Sequence, residues 1–317
     1  MRFYTNKGDK ATRFGFGEGV LEAAKLNPSV VGIGVDITAS VSMDLFANQF
    51  PERFFSIGIA EQNAVGITAG LALSRKIPVF STYGVFAALR TTDFIRISVC
   101  YNNLHVIIGG AHAGISVGPD GATHQALEDI AIMRVLPNMT VLSPADATQA
   151  RLLTEKAIND LEGPVYIRFG REPVPDFTIP EMETNIGKGQ ILKEGNDLSI
   201  VATGHMVWEA LQAAYSLKKK GINSRVINLH TIKPIDKEIL IKAAKETGKI
   251  LTIEEHQIHG GMGSAVAEVI SQHYPVKMRI MGFPDQFGES GTAGELLQKY
   301  GLTAGNIKKE CEILLDS

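Results

Sequence analysis

The chain has 317 residues, 44% hydrophobic and 21% charged, with a net charge of −3, so two domains are expected and no basic surface is offered to nucleic acid or an anionic membrane. No apolar run approaches the ~20 residues that span a bilayer, and Met1-Arg2-Phe3-Tyr4 lacks a signal-peptide core. Two distant cysteines, Cys100 and Cys311, make neither a disulfide framework nor a metal cluster, which points to a reducing cytoplasm.

Residues 9 to 20 read as a helix with loosely set ends. From Val30 to Phe169 strand-like and helix-like segments alternate: Val30–Val35, a buried strand Phe54–Ile57, an apolar helix from Ala60 to Leu73, Val79–Ser81, a helix through Arg96, Leu104–Ile108, a helix from Gln125, Thr140–Leu142, a helix from Ala145, and Val165–Arg168. Such alternation demands crossover connections and a mostly parallel sheet. Pro173, Pro175 and Pro180 then interrupt it, so 172–188 reads as an extended linker. Alternation resumes with Leu198–Ala202, a helix from about Val207 to Lys220, Ser224–Leu229, a helix from Asp236, Ile250–Glu254, a helix from about Met262, and Lys277–Met281, with 294–317 helical. The fold class is therefore α/β with two doubly wound domains, 1–180 and a smaller 189–317.

Glu61 opens the apolar helix that follows Phe54-Phe55-Ser56-Ile57-Gly58. A carboxylate there meets the positive end of the helix dipole and stays ionised where burial alone would neutralise it. Residues 109–124 leave the strand ending at Ile108 with five glycines, His112, Asp120 and His124. A glycine-rich loop at the carboxyl end of a parallel strand is where open α/β sheets bind ligands, and histidine adds a proton relay. Two histidines and one aspartate do not close a zinc site. Tyr83 and Phe86 stand three apart at a helix start, a spacing commoner for core than for a cofactor clamp. Arg168 and Arg171 end a strand, and the planar fork of arginine suits phosphate or carboxylate, although a surface ion pair is the plainer reading. The glycine clusters at 15–19 and 260–263 do not follow strands with dinucleotide-loop spacing.

In order along the chain, Arg53-Phe-Phe-Ser-Ile-Gly-Ile-Ala-Glu-Gln-Asn63, Ser81-Thr-Tyr-Gly-Val-Phe86, His112 to Gln125, Pro137-Asn-Met-Thr140 and Gly163-Pro-Val-Tyr-Ile-Arg168 resemble the C-terminal half of a transketolase in its two-polypeptide form. The resemblance implies a pyrimidine-binding domain followed by the small transketolase C-terminal domain. It further implies thiamine-diphosphate-dependent transfer of a two-carbon ketol unit from a ketose phosphate to an aldose phosphate, as in the pentose phosphate pathway. By position, Glu61 resembles the carboxylate that hydrogen-bonds N1′ of the cofactor's aminopyrimidine. Phe86, Tyr83 and Asp36 match cofactor-side positions; Asp120 and His124 match binders of sugar hydroxyls, with His124 also catalytic; His112, Ser40 and Arg171 match the phosphate end. Arg13 is the nearest candidate for a further phosphate-site arginine, but its spacing to Glu18 differs from the family's and it is left out.

Tyr83, Phe94 and Pro119 stand where phenylalanine, glutamine and glutamate are commoner, which bears on substrate more than on chemistry. The same resemblance extends to a 2-oxo-acid dehydrogenase beta subunit and to deoxyxylulose-phosphate synthase. Asp120-Gly-Ala-Thr-His124-Gln argues against the former, and His112 with Arg171 fits transketolase better. From another class, a non-catalytic assembly subunit is opposed by Glu61, His112, Asp120 and His124 standing together. The family's Gly-Asp-Gly motif, which holds Mg²⁺ or Ca²⁺ and the diphosphate, is nowhere in this sequence. An N-terminal partner subunit carrying that half is expected, in a dimer of heterodimers, or a homodimer when alone, with apolar helix surface around 60–100 buried between chains.

Overall fold

The computed structural model describes residues 4–316; Met1, Arg2, Phe3 and Ser317 lie outside them. In chain order the strands are β1 (Asp9–Ala11), β2 (Val30–Gly34), β3 (Phe54–Ser56), β4 (Ile77–Tyr83), β5 (Ile107–Ala111), β6 (Thr140–Leu142), β7 (Val165–Arg168), β8 (Pro173–Pro175), β9 (Gln190–Lys193), β10 (Leu198–Ala202), β11 (Ser224–Asn228), β12 (Thr231–Lys233), β13 (Lys249–Gln257) and β14 (Lys277–Phe283). Seven of them form one sheet in the order β12-β6-β7-β5-β4-β2-β3, and five form a second, β14-β13-β10-β11-β9. Within these two sheets pairing is parallel except where β12 meets β6 and β9 meets β11. Two doubly wound α/β units result, as the alternation predicts.

The central strands are legible because both their faces are covered: every residue of β2, β5, β7, β10 and β11 is buried. The edges differ from expectation. Phe54–Ser56 is a strand, but it is the last of its sheet and pairs only with β2, so Phe55 is exposed rather than buried. The strand expected at Leu104–Ile108 starts at Ile107 and runs to Ala111, because Leu104 N–H still caps the preceding helix by donating to Val99 O. Residues 9–11 are strand, with the helix running from Thr12 to Leu26, and the C-terminal helical stretch divides into Ala293–Lys299 and Ala304–Asp316.

The expected linker 172–188 is extended but not free. Pro173 and Pro175 lie in β8, which pairs antiparallel with β1 in an isolated two-stranded ribbon, the edge position that proline tolerates, and Pro180 follows in a turn. Asp176 accepts hydrogen bonds from Thr148 N–H at 3.0 Å and from its hydroxyl at 2.8 Å. Beyond this segment, β12 leaves the second unit and closes the first unit's sheet beside β6. The two units are therefore clasped by a shared sheet.

The glycines of the helix Thr12–Leu26 have a packing reason. A Cβ at Gly15 would stand 2.0 Å from Ala147 O, and one at Gly17 would stand 2.2 Å from Ser42 O, so this helix lies directly against the start of the helix Ala147–Asn159. That approach sets Arg13, on the first turn, beside the loop after β2. No helix among the described residues is long and apolar enough to cross a membrane.

Candidate active site

Glu61 is the first residue of the helix Glu61–Leu73, and it is 4% exposed. Its Oε1 accepts a hydrogen bond from Arg90 Nη1 at 2.7 Å. A buried carboxylate needs such a partner as well as the helix dipole. Arg90 arrives through a widened, π-helical turn over Phe86–Arg90 that begins three residues after the end of β4 at Tyr83. Thr91 Oγ1 donates back to Ala87 O at 2.6 Å, and Thr92 Oγ1 to Ala88 O, satisfying carbonyls that the wide turn frees.

The Arg90 guanidinium lies 4.0 Å above the Phe86 ring, and from there an aromatic cluster continues. His124 stands edge-on to Phe86 at 5.5 Å and to Tyr83 at 5.8 Å, while His112 stacks on Tyr83 at 4.2 Å. Tyr83 and Phe86, which their spacing assigns to the core, are half-exposed and form this wall instead. Tyr83 ends β4 and His112 follows β5 directly, so neighbouring parallel strands deliver both at their carboxyl ends.

At the far side of the wall the environment turns cationic. Burial chiefly, and then the charges of Arg13 and Arg171, push His112 down to about 4, with Asp120 opposing them. His112 is thus a neutral imidazole at physiological pH. The Ser40 backbone borders it closely enough to oppose that shift slightly, but the Ser40 carbonyl accepts Arg13 Nη1 at 3.0 Å, and neither ring nitrogen of His112 has a partner at hydrogen-bond geometry among the described residues. Arg13 Nε is likewise buried and unpartnered. Arg171 donates to Asp120 Oδ1 at 3.1 Å and to Val117 O at 3.3 Å. Buried orphan donors beside two arginines are chemically suited to an anion.

Glu61, Phe86, His124, Tyr83 and His112 are thereby linked through Arg90 in one chain of contacts; Ser40 borders His112, and the Arg171–Asp120 pair acts on it through charge. Asp36 is exposed just beyond β2 with φ +69°, and no hydrogen bond joins it to this chain among the described residues. Arg168 goes elsewhere: it is buried, donates through Nε to Asp129 Oδ2 at 2.9 Å, and shares that carboxylate with Tyr166 Oη at 2.8 Å. Arg90 is the residue that sequence reasoning misses, and Arg13 is the one it names and sets aside. Among the described residues, no group of three or more His, Cys, Asp or Glu is placed to hold a metal ion.

Residues 9–176 match the transketolase pyrimidine-binding domain, and residues 187–307 match the transketolase C-terminal domain. A protein of Methanocaldococcus jannaschii, provisionally named a transketolase C-terminal section, is 45% identical over 303 residues, covering 95% of each chain. A 6-deoxy-6-sulfo-D-fructose transketolase subunit of Clostridium sp. (strain MSTE9) is 40% identical over 288 residues, covering 91% of this chain and 89% of that one. Among solved structures, a split-gene transketolase described as an inactive β4 tetramer superposes with a TM-score of 0.89 at 46% identity, covering 98% of this chain and 99% of that one.

Proposed function

The chain belongs to the transketolase family, and from that premise we propose that it is the pyrimidine-binding subunit of a two-chain transketolase that moves a two-carbon ketol unit from a ketose phosphate to an aldose phosphate. One observation carries the reading: a buried carboxylate at a helix N-terminus, joined through Arg90 and an aromatic wall to a pocket of unpartnered cationic and imidazole donors. Members of this family depend on thiamine diphosphate. The residues fit its aminopyrimidine, since Glu61 offers a buried acceptor and Phe86 and Tyr83 offer ring faces beside it. Asp36, exposed beyond β2, is the remaining cofactor-side candidate.

When bound, thiamine diphosphate supplies the electron sink for carbon–carbon cleavage. Glu61, at the helix N-terminus and paired with Arg90, would accept a hydrogen bond from the ring. His124, whose Nδ1 is engaged by Thr123 Oγ1 at 2.9 Å, keeps Nε2 for proton exchange with a sugar hydroxyl. Asp120 accepts from a second hydroxyl. Arg13, Arg171, Ser40 and neutral His112 take the anionic end of the sugar, His112 as a donor through one nitrogen. The sulfo-sugar name of one relative supports an anionic end without fixing it as phosphate.

The diphosphate and its Mg²⁺ or Ca²⁺ are held by an N-terminal partner subunit in a dimer of heterodimers. The names of the relatives support this, as do Phe55, Ile59, Leu73, Leu89, Ile97 and Tyr101, large apolar residues left exposed over 55–101. Calorimetric titration with thiamine diphosphate and Mg²⁺, on the chain alone and with an N-terminal chain, tests the reading. Tight binding and ketol transfer are expected only from the pair; both from the isolated chain would overturn it.

A further inference from the structure

The second unit gives no hydrogen bond or ring contact to His112, Asp120 or His124 among the described residues, yet it grips the loop that carries them. The grip is the carboxyl end of β13. Glu255 is 3% exposed; its Oε1 accepts Ser116 N–H at 2.5 Å, and its Oε2 stands 3.2 Å from His205 Nδ1. Its main-chain carbonyl accepts Arg168 Nη2 at 2.7 Å. The next two residues continue the contact: His256 Nε2 accepts Ala131 N–H at 3.3 Å, and Gln257 N–H donates to Leu127 O at 2.9 Å. From the loop after β14, Glu289 O accepts Gln125 Nε2 at 2.8 Å.

The loop is shaped to this carboxylate. Gly114 has φ +88°, and a Cβ there would stand 2.2 Å from the Glu255 carboxyl carbon. Backbone at Gly114 and Ser116 therefore wraps a buried carboxyl group that comes from another domain, two residues after His112 and four before Asp120. A buried polar group held this way tolerates little displacement, because leaving either Ser116 N–H or the carboxyl oxygen unpaired is costly.

We propose that Glu255 is a positioning residue through which the second domain sets the conformation of loop 112–124, and with it the placement of His112, Asp120 and His124 on the substrate. The proposal rests on the reading that this loop binds the substrate. It gives the second domain a task in the reaction although it adds no group to the site.

Hydrogen–deuterium exchange of the full chain tests the positioning without partner or cofactor. Glu255→Ala should raise exchange over 112–121 by ~10-fold or more while β10 and the start of β13 keep wild-type protection. Glu255→Gln, which still presents an oxygen to Ser116 N–H, should stay near wild type. Gly114→Ala, which fills the same seat from the loop side, should loosen the loop as Glu255→Ala does, and it replaces that variant if the latter fails to fold. In the complex with the N-terminal chain, Glu255→Ala should raise KM for a ketose phosphate by about 10- to 100-fold with thiamine diphosphate affinity unchanged. Unchanged loop exchange, loosening spread evenly over both domains, or a glutamine variant no better than alanine would overturn it. Failure of the wild-type pair to transfer ketol units would instead overturn the functional reading, with the exchange result unaffected.

Discussion

Replacing Arg171 by alanine separates the anionic end of the substrate from the rest of the site. Arg171 pairs with Asp120 at 3.1 Å and with Glu172 at 3.5 Å, each of the three side chains being about one-third exposed. Ion pairs so exposed are worth ~0–1 kcal/mol, and at most that much is given up when the guanidinium turns to a phosphate. The new charge-assisted contact is worth about 1.5–3 kcal/mol. The net loss on substitution is therefore about 1–2 kcal/mol, or about 5- to 30-fold in KM. Steady-state kinetics of the assembled pair should show that rise for a ketose phosphate and almost none for hydroxypyruvate, which lacks the phosphate. Arg171→Lys keeps the charge without the fork and should recover part of the loss. An equal rise on both donors would show that Arg171 does not meet the anion.

Glu61→Ala should leave the thermal midpoint near wild type and lower ketol transfer about 10²- to 10⁴-fold, with Glu61→Gln nearly as poor; a rate near wild type in either removes Glu61 from its role. Because His112 sits at about 4 when folded and near its ordinary 6.5 when unfolded, the unfolded chain takes up a proton that the folded chain refuses as pH falls between those values. Stability should drop by up to about 3 kcal/mol across that window and not above it. His112→Asn should shallow the drop between urea midpoints at pH 7.5 and 4.5, with His230, also held near 4 by burial, contributing equally to both proteins; identical slopes would refute this. Gly15→Ala, with its Cβ 2.0 Å from Ala147 O, should cost ~1–3 kcal/mol, whereas Gly305→Ala, with nothing within 4 Å, should be neutral or gain up to ~1 kcal/mol. Denaturant titration of the two variants decides.

What was legible in the sequence follows from burial. Leu198–Ala202 and Val165–Arg168 are covered on both faces, so apolar runs betray them, and Glu61 is legible because a charge opening an apolar helix has few explanations. Gln190–Lys193 and Thr231–Lys233 are short edge strands whose polar residues carry no periodic signal. Arg90 was hidden because the π-helical turn that swings it onto Glu61 breaks the spacing from which helix faces are read. Glu254-Glu255-His256 did carry a sign: two carboxylates and an imidazole end a buried strand, where water would not pay for them. Glu254 spends its charge on Met262 N–H at 2.7 Å and Gly263 N–H at 2.8 Å, and Glu255 on the loop.

The strand that β12 lends to the first sheet changes what cutting this protein would do. A protease nick between residues 179 and 188 would break the covalent tie, yet Thr231 would still pair with Leu142, and Glu255 would still hold Ser116 N–H. The products should co-elute as one particle and part only in denaturant. A fragment that stops near residue 180 would expose the β6 edge, where Val141 and Leu142 are fully buried in the whole chain. Bare apolar edges recruit other strands, so that fragment should precipitate or pair with itself.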